Sequence, residues 1–334
     1  MSRTATLLVS LALTTLSFAC SEPQALAPER PEGLFPFRQN VAAGLADQNG
    51  QIVLEPTFEY IGETDGELIA VRRDGSWGFI DRTGVFVIEP KWKEAGRFVD
   101  GRAPINHEGR AGYVDASGEI AVEARFGSAR SFAEGLGAVQ VSERWGWVDL
   151  DGELAIAPRF AFTRNFSEGL AVARVEEDDL LGFVDPSGEW AIEPAFLEAY
   201  AFSEGVAAVQ TQDQTWGFIN PDGSFALDPG YFWAYSFSDG LAAVRIGARW
   251  TYVNRSGERI GEPQFEMAEP FADGLAPVKE DDLWGYVDTE GNLAVPYRFV
   301  RAESFIGGLA SVTEDGASWG YIDVLGNWVW APSL

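Results

Sequence analysis

Short apolar runs bounded by Gly and Asp recur along the chain from residue 33 onward. GLAAVR (240–245) and WGYVD (284–288) are rich in aromatic and β-branched residues, a pattern typical of β-strands. Neighbouring residues of a strand face opposite sides of the sheet, so the Trp of such a run shares one face with the aromatic residue two positions later. The Gly shares the other face with Val or Ile. Both faces are apolar, which predicts a sheet that is covered on both sides.

One octapeptide, WGFIDRTG at 77–84, returns in variant form at a nearly constant interval. Its last glycine recurs every 34 to 36 residues, at Gly50, Gly84, Gly118, Gly152, Gly188, Gly223, Gly257, Gly291 and Gly326. Three residues earlier stands an Asp or Asn, at Asp47, Asp81, Asp115, Asp149, Asp185, Asn220, Asn254, Asp288 and Asp323. A fixed period indicates a repeat architecture. Each D-x-x-G predicts a hairpin turn in which the Asp or Asn side chain caps the backbone and Gly adopts a positive φ.

The Trp-Gly pair opens most copies of the octapeptide. It occurs at Trp77-Gly78, Trp145-Gly146, Trp216-Gly217, Trp284-Gly285 and Trp319-Gly320, with departures at Ala43, Ala111, Leu181 and Thr251. Glycine inside a strand often marks a close approach of another group. We expect an aromatic ring of the adjacent unit to occupy that space, and we expect the signature residues to be structural.

Two further marks complete the unit. A proline usually lies six residues past the turn glycine, as at Pro90, and since it cannot donate to a ladder it either ends the third strand or leaves it at an edge. An FSEGLA phrase (166–171 and variants) follows an irregular link of about ten residues. The sequence therefore predicts a three-stranded antiparallel meander per unit. The units lie near 33–66, 67–100, 101–134, 135–168, 169–204, 205–239, 240–273, 274–307 and 308–334.

The fold class predicted from this array is all-β. A single unit cannot bury two apolar faces, whereas stacked units can. We expect first an open, twisted solenoid, because nine units exceed the usual ~4 to 8 blades of a ring and each unit lacks a fourth strand. A closed, propeller-like toroid is the alternative, because the repeat frame begins and ends cleanly.

These phrases resemble the WG-repeat family, bacterial proteins named for the Trp-Gly pair. The family phrase, WGyID-x-x-G-x-x-VI-x-P-x-F followed by FSEGLAxV, is matched in several copies between Gly33 and Leu334. The departures, such as Leu181 and Thr251, argue against the Trp ring as a required functional group. The resemblance implies a repeat domain without a general catalytic role that is often exported or attached to other modules and binds another molecule. It carries over no residue of known chemistry.

The amino terminus has the features of an export signal. Residues 1–20 combine one basic residue, an apolar stretch and small residues before a cut. Cys20, the one cysteine of the chain, stands where the lipobox of bacterial lipoproteins has its lipidated residue. We therefore predict a lipid anchor at Cys20, with ordinary cleavage after the small-x-Ala sequence ending at Ala19 as the alternative. Residues 21–32 contain three prolines and read as a tether.

The charge of the chain excludes some partners. The formal net charge is −27, which repels phosphate backbones and anionic lipid. We expect no nucleic-acid partner, and membrane attachment only through Cys20. The same negative charge has two interpretations: it keeps the protein soluble, or it favours binding of calcium and polycations. The acidic segments at 176–179, 280–282 and 314–315 are expected on one rim, as a solvated edge or as such a patch.

Catalytic constellations are sparse. His107 is the one histidine, which leaves no triad and no histidine pair for zinc. DLDG (149–152) is only a fragment of a calcium loop. We therefore expect no enzyme, no cofactor and no metal, although a pair of carboxylates acting as in a glycosidase stays as a minor alternative. The tryptophans off the repeat pattern are candidates for stacking on sugars or on a protein; they are Trp190, Trp233, Trp328 and Trp330.

The function predicted from these features is a non-enzymatic binding scaffold of the bacterial cell envelope. The partner is a protein or an envelope polysaccharide. The sequence leaves the oligomeric state open, and a monomer is one of the states that fit. A lectin-like module is the first alternative, and a plain structural spacer also fits. We predict an outer-membrane, lipid-anchored location, with a soluble periplasmic or secreted protein as the alternative.

Overall fold

The computed structural model describes residues 33–39, 42–66 and 68–332. The predicted signal at 1–20, Cys20 and the tether at 21–32 lie outside the described residues. The described residues belong to one compact unit. Nowhere in the described ranges is there a helix long and apolar enough to cross a membrane.

The described residues form 35 strands in nine antiparallel sheets, which confirms the all-β prediction. The strands are β1 (Leu34–Gln39), β2 (Ala42–Asp47), β3 (Ile52–Phe58), β4 (Tyr60–Ile61), β5 (Leu68–Arg73), β6 (Ser76–Asp81), β7 (Phe86–Trp92), β8 (Glu94–Ala95), β9 (Ala103–His107), β10 (Arg110–Val114), β11 (Ile120–Phe126), β12 (Ser128–Ala133), β13 (Leu136–Val141), β14 (Arg144–Val148), β15 (Leu154–Phe160), β16 (Phe162–Thr163), β17 (Ala171–Arg174), β18 (Leu181–Val184), β19 (Trp190–Phe196), β20 (Glu198–Ala199), β21 (Ala207–Gln210), β22 (Trp216–Ile219), β23 (Phe225–Tyr231), β24 (Trp233–Ala234), β25 (Leu241–Ile246), β26 (Arg249–Asn254), β27 (Arg259–Phe265), β28 (Met267–Ala268), β29 (Leu275–Glu280), β30 (Leu283–Asp288), β31 (Leu293–Phe299), β32 (Arg301–Ala302), β33 (Leu309–Thr313), β34 (Gly320–Asp323) and β35 (Trp328–Trp330).

Most sheets have one strand more than predicted. Among the described residues, sheets 2 to 9 have four strands each, in orders such as β4-β5-β6-β7, and we name these positions strands A to D. Sheet 1 has three strands, β1-β2-β3, which correspond to B, C and D. Strand A arises from the segment predicted to be an irregular link, and a single residue separates it from strand D of the preceding sheet. In sheet 3, Gly96 N continues the pairing beyond β8 by donating to Pro104 O at 2.8 Å.

The repeated proline lies inside strand D and not at its end. In sheet 2, Trp77 pairs with Trp92 and Phe79 pairs with Ile88, so strand D carries a bulge of two extra residues that contains Pro90. Strand D is the edge of its sheet, and the missing N–H of the proline therefore removes no ladder bond. Of the two predicted roles of the proline, the one that leaves the strand at the edge of its sheet is confirmed.

The first and last sheets pack together and close the array into a ring. At successive sheets the turn glycine lies against strand D of the preceding sheet, so that a Cβ at Gly118 would lie 3.0 Å from Ile88 Cγ2. Gly50 makes the equivalent contact across the ends of the array, where a Cβ would lie 2.6 Å from Val329 O. The described sheets therefore form a nine-bladed β-propeller arrangement. The closed toroid, our alternative, is the arrangement found, and the open solenoid that we expected first is not confirmed.

The core lies between neighbouring sheets. Trp147 and Phe160 of sheet 4 pack against Phe166 and Val184 of sheet 5. Phe183, adjacent to Val184 in strand C, packs instead toward sheet 6. Strand C of sheet 5 thus buries residues on both of its faces, as the sequence pattern predicts.

Candidate functional site

The repeated Asp caps the hairpin between strands C and D. Asp81 Oδ1 accepts hydrogen bonds from Thr83 N at 2.9 Å and Val85 N at 3.0 Å, and Gly84 adopts a φ of 88°. Hydrogen bonds from the Thr83 hydroxyl and the Val85 amide hold the pKa of Asp81 below its usual value. The same pair of backbone bonds is made by Asp149 and Asp288, whose turns close at Gly152 and Gly291. These residues lie in capped hairpin turns, as the sequence predicts.

The glycine of the Trp-Gly pair faces the backbone of its own sheet. A Cβ at Gly146 would lie 2.5 Å from Ile156 O and 2.7 Å from Pro158 N, because the bulge of strand D crosses over this position. Strand D of the same sheet likewise lies against Gly78, Gly217, Gly285 and Gly320. The expectation that an aromatic of the adjacent unit fills the space is wrong. The space beside the glycine is filled by the backbone of strand D, because the bulge in that strand crosses over it. The bulge arises from the pairing of strands C and D.

The tryptophans of the pairs differ in exposure. Trp216 is buried and stacks on Tyr200 at 5.5 Å, and Trp145 lies under the guanidinium of Arg130 at 4.3 Å. Trp77 and Trp284 are half-buried, whereas Trp319 is 39% exposed. Trp319 belongs to sheet 9 and faces sheet 1, in which no strand A is described. Its exposure marks the junction of the two ends of the array, which we call the seam.

The tryptophans off the pattern separate into two groups. Trp190 and Trp328 pack inward, with ring atoms against Gly182 and Gly320. Trp233 is 39% exposed and its ring lies 5.1 Å from that of Trp216. Trp330 contacts Phe37 at 4.5 Å across the seam. These last two stay available as ligand-contacting rings.

The acidic segments are engaged in ion pairs with arginines and a lysine. Glu176 pairs with Arg144 of the preceding sheet at 2.8 Å, and Glu280 pairs with Arg249 at 2.7 Å. His107 ends β9 at an exposed turn. Within the described ranges, no group of three or more His, Cys, Asp or Glu side chains is arranged to hold a metal ion.

The acidic residue of the FSEG phrase links neighbouring sheets, which the sequence analysis missed. Glu134 Oε2 accepts from Gly169 N at 3.0 Å, and Glu168 Oε2 accepts from Gly205 N at 2.8 Å. Further links of this kind join Asp100 to Gly135, Glu204 to Gly240, Asp239 to Gly274 and Asp273 to Gly308. We call this series the carboxylate ladder. The sequence shows an acidic residue before a glycine at a fixed period. It does not show how far apart neighbouring units lie, so the link between them could not be predicted.

One cleft brings carboxylates of neighbouring sheets together. Glu269, Lys279, Trp284 and Glu303 line a cavity of about 490 Å³ between sheets 8 and 9. Burial, and then the charge of Glu303, raise the pKa of Glu269. This is the place in the described structure to which the minor carboxylate-pair alternative applies.

Two adjoining cavities lie at the seam. One of about 900 Å³ is lined by Phe37, Arg38, Trp319, Tyr321 and Trp330. A second, of about 710 Å³, shares Pro36, Tyr60 and Ile61 with it and continues along β1 toward Gly33 and Gly307. Together they form a groove beside β1, which we call the seam groove. Concave surfaces lined by aromatic residues and a few polar groups are the usual places for ligands.

Comparison with solved structures supports the fold. A crystal structure described as a eukaryotic initiation factor is similar with a TM-score of 0.64 at 11% identity, over 91% of this chain and 95% of that one. BamB from Moraxella catarrhalis gives a TM-score of 0.46 at 11% identity, over 77% of this chain and 94% of its own, which is too low to carry an argument. At these identities the likeness shows the fold alone. The curated proteins contain no match.

A family model described as "WG containing repeat" matches most of the chain. The matched segments are 44–77, 77–110, 112–144, 145–179, 182–214, 216–250, 250–284 and 284–316. They begin at or near the Trp-Gly position, so they follow the period identified from the sequence. The chain belongs to the family of proteins with WG-containing repeats.

Proposed function

We propose that this protein is a non-enzymatic binding scaffold of the bacterial cell envelope. One observation carries the proposal: the residue types that recur in each repeat are engaged in building the ring. The repeated Asp caps turns, the repeated Gly admits the strand D bulge and the repeated acid joins neighbouring sheets. Repeats that are used for construction leave the surface of the ring, which differs from blade to blade, for recognition.

The proposed location rests on the amino-terminal sequence. An export signal that ends at Cys20 supports an exported protein held at the outer membrane by lipid. Mass spectrometry of the mature chain purified from membranes tests this. We expect a first residue of Cys20 that carries a diacylglycerol mass, and a Cys20→Ser variant that lacks it. An unmodified chain beginning at Cys20, or cleavage at another bond, contradicts the anchor.

The proposed partner is a protein or an envelope polysaccharide. The formal net charge of −27 of the chain supports selection of a neutral or cationic surface. The full chain, immobilised through a tag, is exposed to envelope extract at several salt and calcium concentrations, and each recovered component is purified and titrated back. We expect one component to bind saturably at a fixed ratio. If no recovered component binds when purified, under any of these conditions, the scaffold proposal fails.

Glycan binding is a second candidate that one aromatic cluster favours. The exposed ring of Trp233 lies against Trp216, and Tyr235 stacks on Trp250 at 5.4 Å. Exposed aromatic faces of this kind are suited to stacking on sugar rings. A glycan array with the full chain and with Trp233→Ala tests the idea. We expect specific signals that are lost with Trp233→Ala and kept with Phe232→Ala, because Phe232 is a neighbouring exposed ring. An array without signals, or signals that Trp233→Ala leaves unchanged, removes this candidate.

A further inference from the structure

We propose that the edge of β1 in the seam groove, which no described strand covers, binds an extended peptide segment of a partner protein, which becomes strand A of sheet 1. The inference rests on the proposed scaffold function and names the mode of binding. Addition of a strand to a free sheet edge is a general way to bind a peptide, with backbone bonds giving affinity and side-chain pockets giving selectivity. The other sheets of the described structure supply the template for this strand.

The template defines which backbone groups the peptide meets. In sheets 3 and 8, strand B has a proline whose carbonyl accepts from strand A: Gly96 N donates to Pro104 O at 2.8 Å and Glu269 N donates to Pro277 O at 3.0 Å. Pro36 stands at the equivalent position of β1. One residue pair further along, Lys93 N donates to Asn106 O at 3.3 Å. The equivalent acceptor in β1 is the carbonyl of Arg38, and the amide of Arg38 points to the same side because both groups of a strand residue face one neighbour.

The tyrosine at the seam bonds to strand B of sheet 1, and among the described residues no strand A of that sheet offers it a carbonyl. In interior sheets the strand C tyrosine donates to strand A of the next sheet, as Tyr286 Oη does to Glu303 O at 2.8 Å. Tyr113 Oη also reaches strand B of the next sheet, where it donates to Ala138 O at 3.3 Å. At the seam Tyr321 Oη donates to Pro36 O, the equivalent strand B carbonyl, at the shorter distance of 2.7 Å. A peptide in the groove offers Tyr321 the carbonyl that its counterparts use and takes over Pro36 O through its own N–H.

The template also defines the side chains that the groove accepts. The second residue of strand A is a buried alanine at Ala199, Ala234 and Ala268, which favours a small residue at the centre of the peptide. Interior sheets then place a phenylalanine against the strand C aromatic, as Phe305 lies 4.8 Å from Tyr286. In sheet 1 the ring of Phe35 of β1 already lies 5.5 Å from Tyr321. The peptide therefore needs a small central residue but no phenylalanine anchor.

The sequence that precedes β1 is poorly suited to complete the sheet. Arg102 corresponds to Leu34, so in register with sheet 3 Pro28 falls at the position of Gly96 and Pro31 at that of Val99. Gly96 N and Val99 N are both donors, to Pro104 O and to Arg102 O at 2.9 Å. Proline has no N–H to donate. This chemistry favours a segment from another protein.

The test uses the full chain and a peptide whose sequence is taken from the protein itself. The probe is a fluorescein-labelled peptide of residues 298–304, RFVRAES, which contains the strand A residues Arg301 and Ala302 and the donor equivalent to Glu303. The control peptide has proline in place of Glu303 and so lacks that N–H. Binding is followed by fluorescence anisotropy. On the protein side, Ala317→Trp fills the groove from an exposed loop position, and Gln212→Trp changes an exposed position in the corresponding loop of sheet 6.

We expect saturable binding at one site per chain, weakened about tenfold or more by the proline in the peptide. Ala317→Trp abolishes binding and Gln212→Trp leaves it unchanged. Amide exchange of Arg38 in the full chain is fast without peptide and slows when the peptide is added. Absence of saturable binding, or binding that neither the proline nor Ala317→Trp reduces, overturns the inference.

The exchange measurement also identifies competing occupants. Slow exchange of the Arg38 amide without peptide, at all protein concentrations, means that the chain covers its own edge and overturns the inference. Slow exchange that appears only at high protein concentration assigns the groove to a second copy and overturns it as well. If an envelope component binds the chain but Ala317→Trp leaves that binding unchanged and the peptide does not bind, the scaffold proposal stands and the seam inference fails.

Discussion

Thr251 lies opposite Gly261 in sheet 7, and the two residues replace the usual arrangement of the Trp-Gly pair. The Thr251 hydroxyl donates to Ile260 O at 3.2 Å and to Gly261 O at 3.4 Å. Trp250 pairs with Phe265 and Tyr252 with Ile260, so strand D has one more residue in its bulge than in sheet 2, where Trp92 and Ile88 take these places. Gly261 makes the wider bulge with a φ of 78°. The sheet accommodates a buried threonine because the glycine has moved to the facing strand.

Gly261→Ala is expected to destabilise the protein by about 1–2 kcal/mol, because an L residue is strained at this positive φ. Chemical denaturation gives the change in the free energy of unfolding. Gly230→Ala is the matched control, since a Cβ there meets nothing within 4 Å. Equal effects of the two substitutions would contradict the role of Gly261 in the bulge.

Gly146→Ala is expected to cost about 2–3 kcal/mol, because its Cβ would lie against the backbone of Ile156 and Pro158, which cannot move aside without breaking the sheet. The same denaturation experiment measures it, again relative to Gly230→Ala. Should Gly146→Ala prove neutral, the bulge is not the reason for the glycine in the Trp-Gly pair.

The carboxylate ladder predicts a local effect. Glu168→Leu removes the acceptor of Gly205 N, and we expect the Gly205 amide to exchange about five to ten times faster. The Gly240 amide, bonded to Glu204, is the internal control. Glu168→Gln retains an oxygen acceptor and is expected to fall between the parent and Glu168→Leu. Uniform acceleration of both amides would indicate global destabilisation and not a lost link.

The pKa of Glu269 predicts how stability depends on pH. Because burial and Glu303 raise this pKa in the folded chain above its ordinary 4.5, the folded state binds more protons than the unfolded state just above that value. Stability is therefore lost as pH rises from the ordinary pKa through the raised one. Glu269→Gln is expected to raise the melting temperature at pH 7 and to have little effect below pH 4.5. A gain that is the same at both pH values would show that ionisation is not its cause.

Strand A shows where sequence analysis of this chain fails. GLAAVR and WGYVD carry a period of two residues, which predicts strands at both places. Strand A of sheet 3 is regular over only Glu94 and Ala95 and then continues through isolated backbone bonds such as that of Gly96. So short a segment has no periodicity, and its pairing depends on a neighbour that only the fold supplies. The glycine of the Trp-Gly pair is a second example. Its place in a strand predicts that another group approaches closely, but the identity of that group depends on the bulge in strand D.

The repeat length, the capped turns and the two apolar faces of each sheet are local properties, which is why they follow from the order of residues. Each depends on side chains within a few positions of one another, such as Asp81 and Val85. Closure is different in kind. It depends on the small rotation between successive sheets, accumulated around the whole array, until Gly50 meets Val329 and Tyr321 meets Pro36. No single repeat encodes that sum, so whether the array is open or closed, and where its seam lies, is decided only when all the sheets pack together.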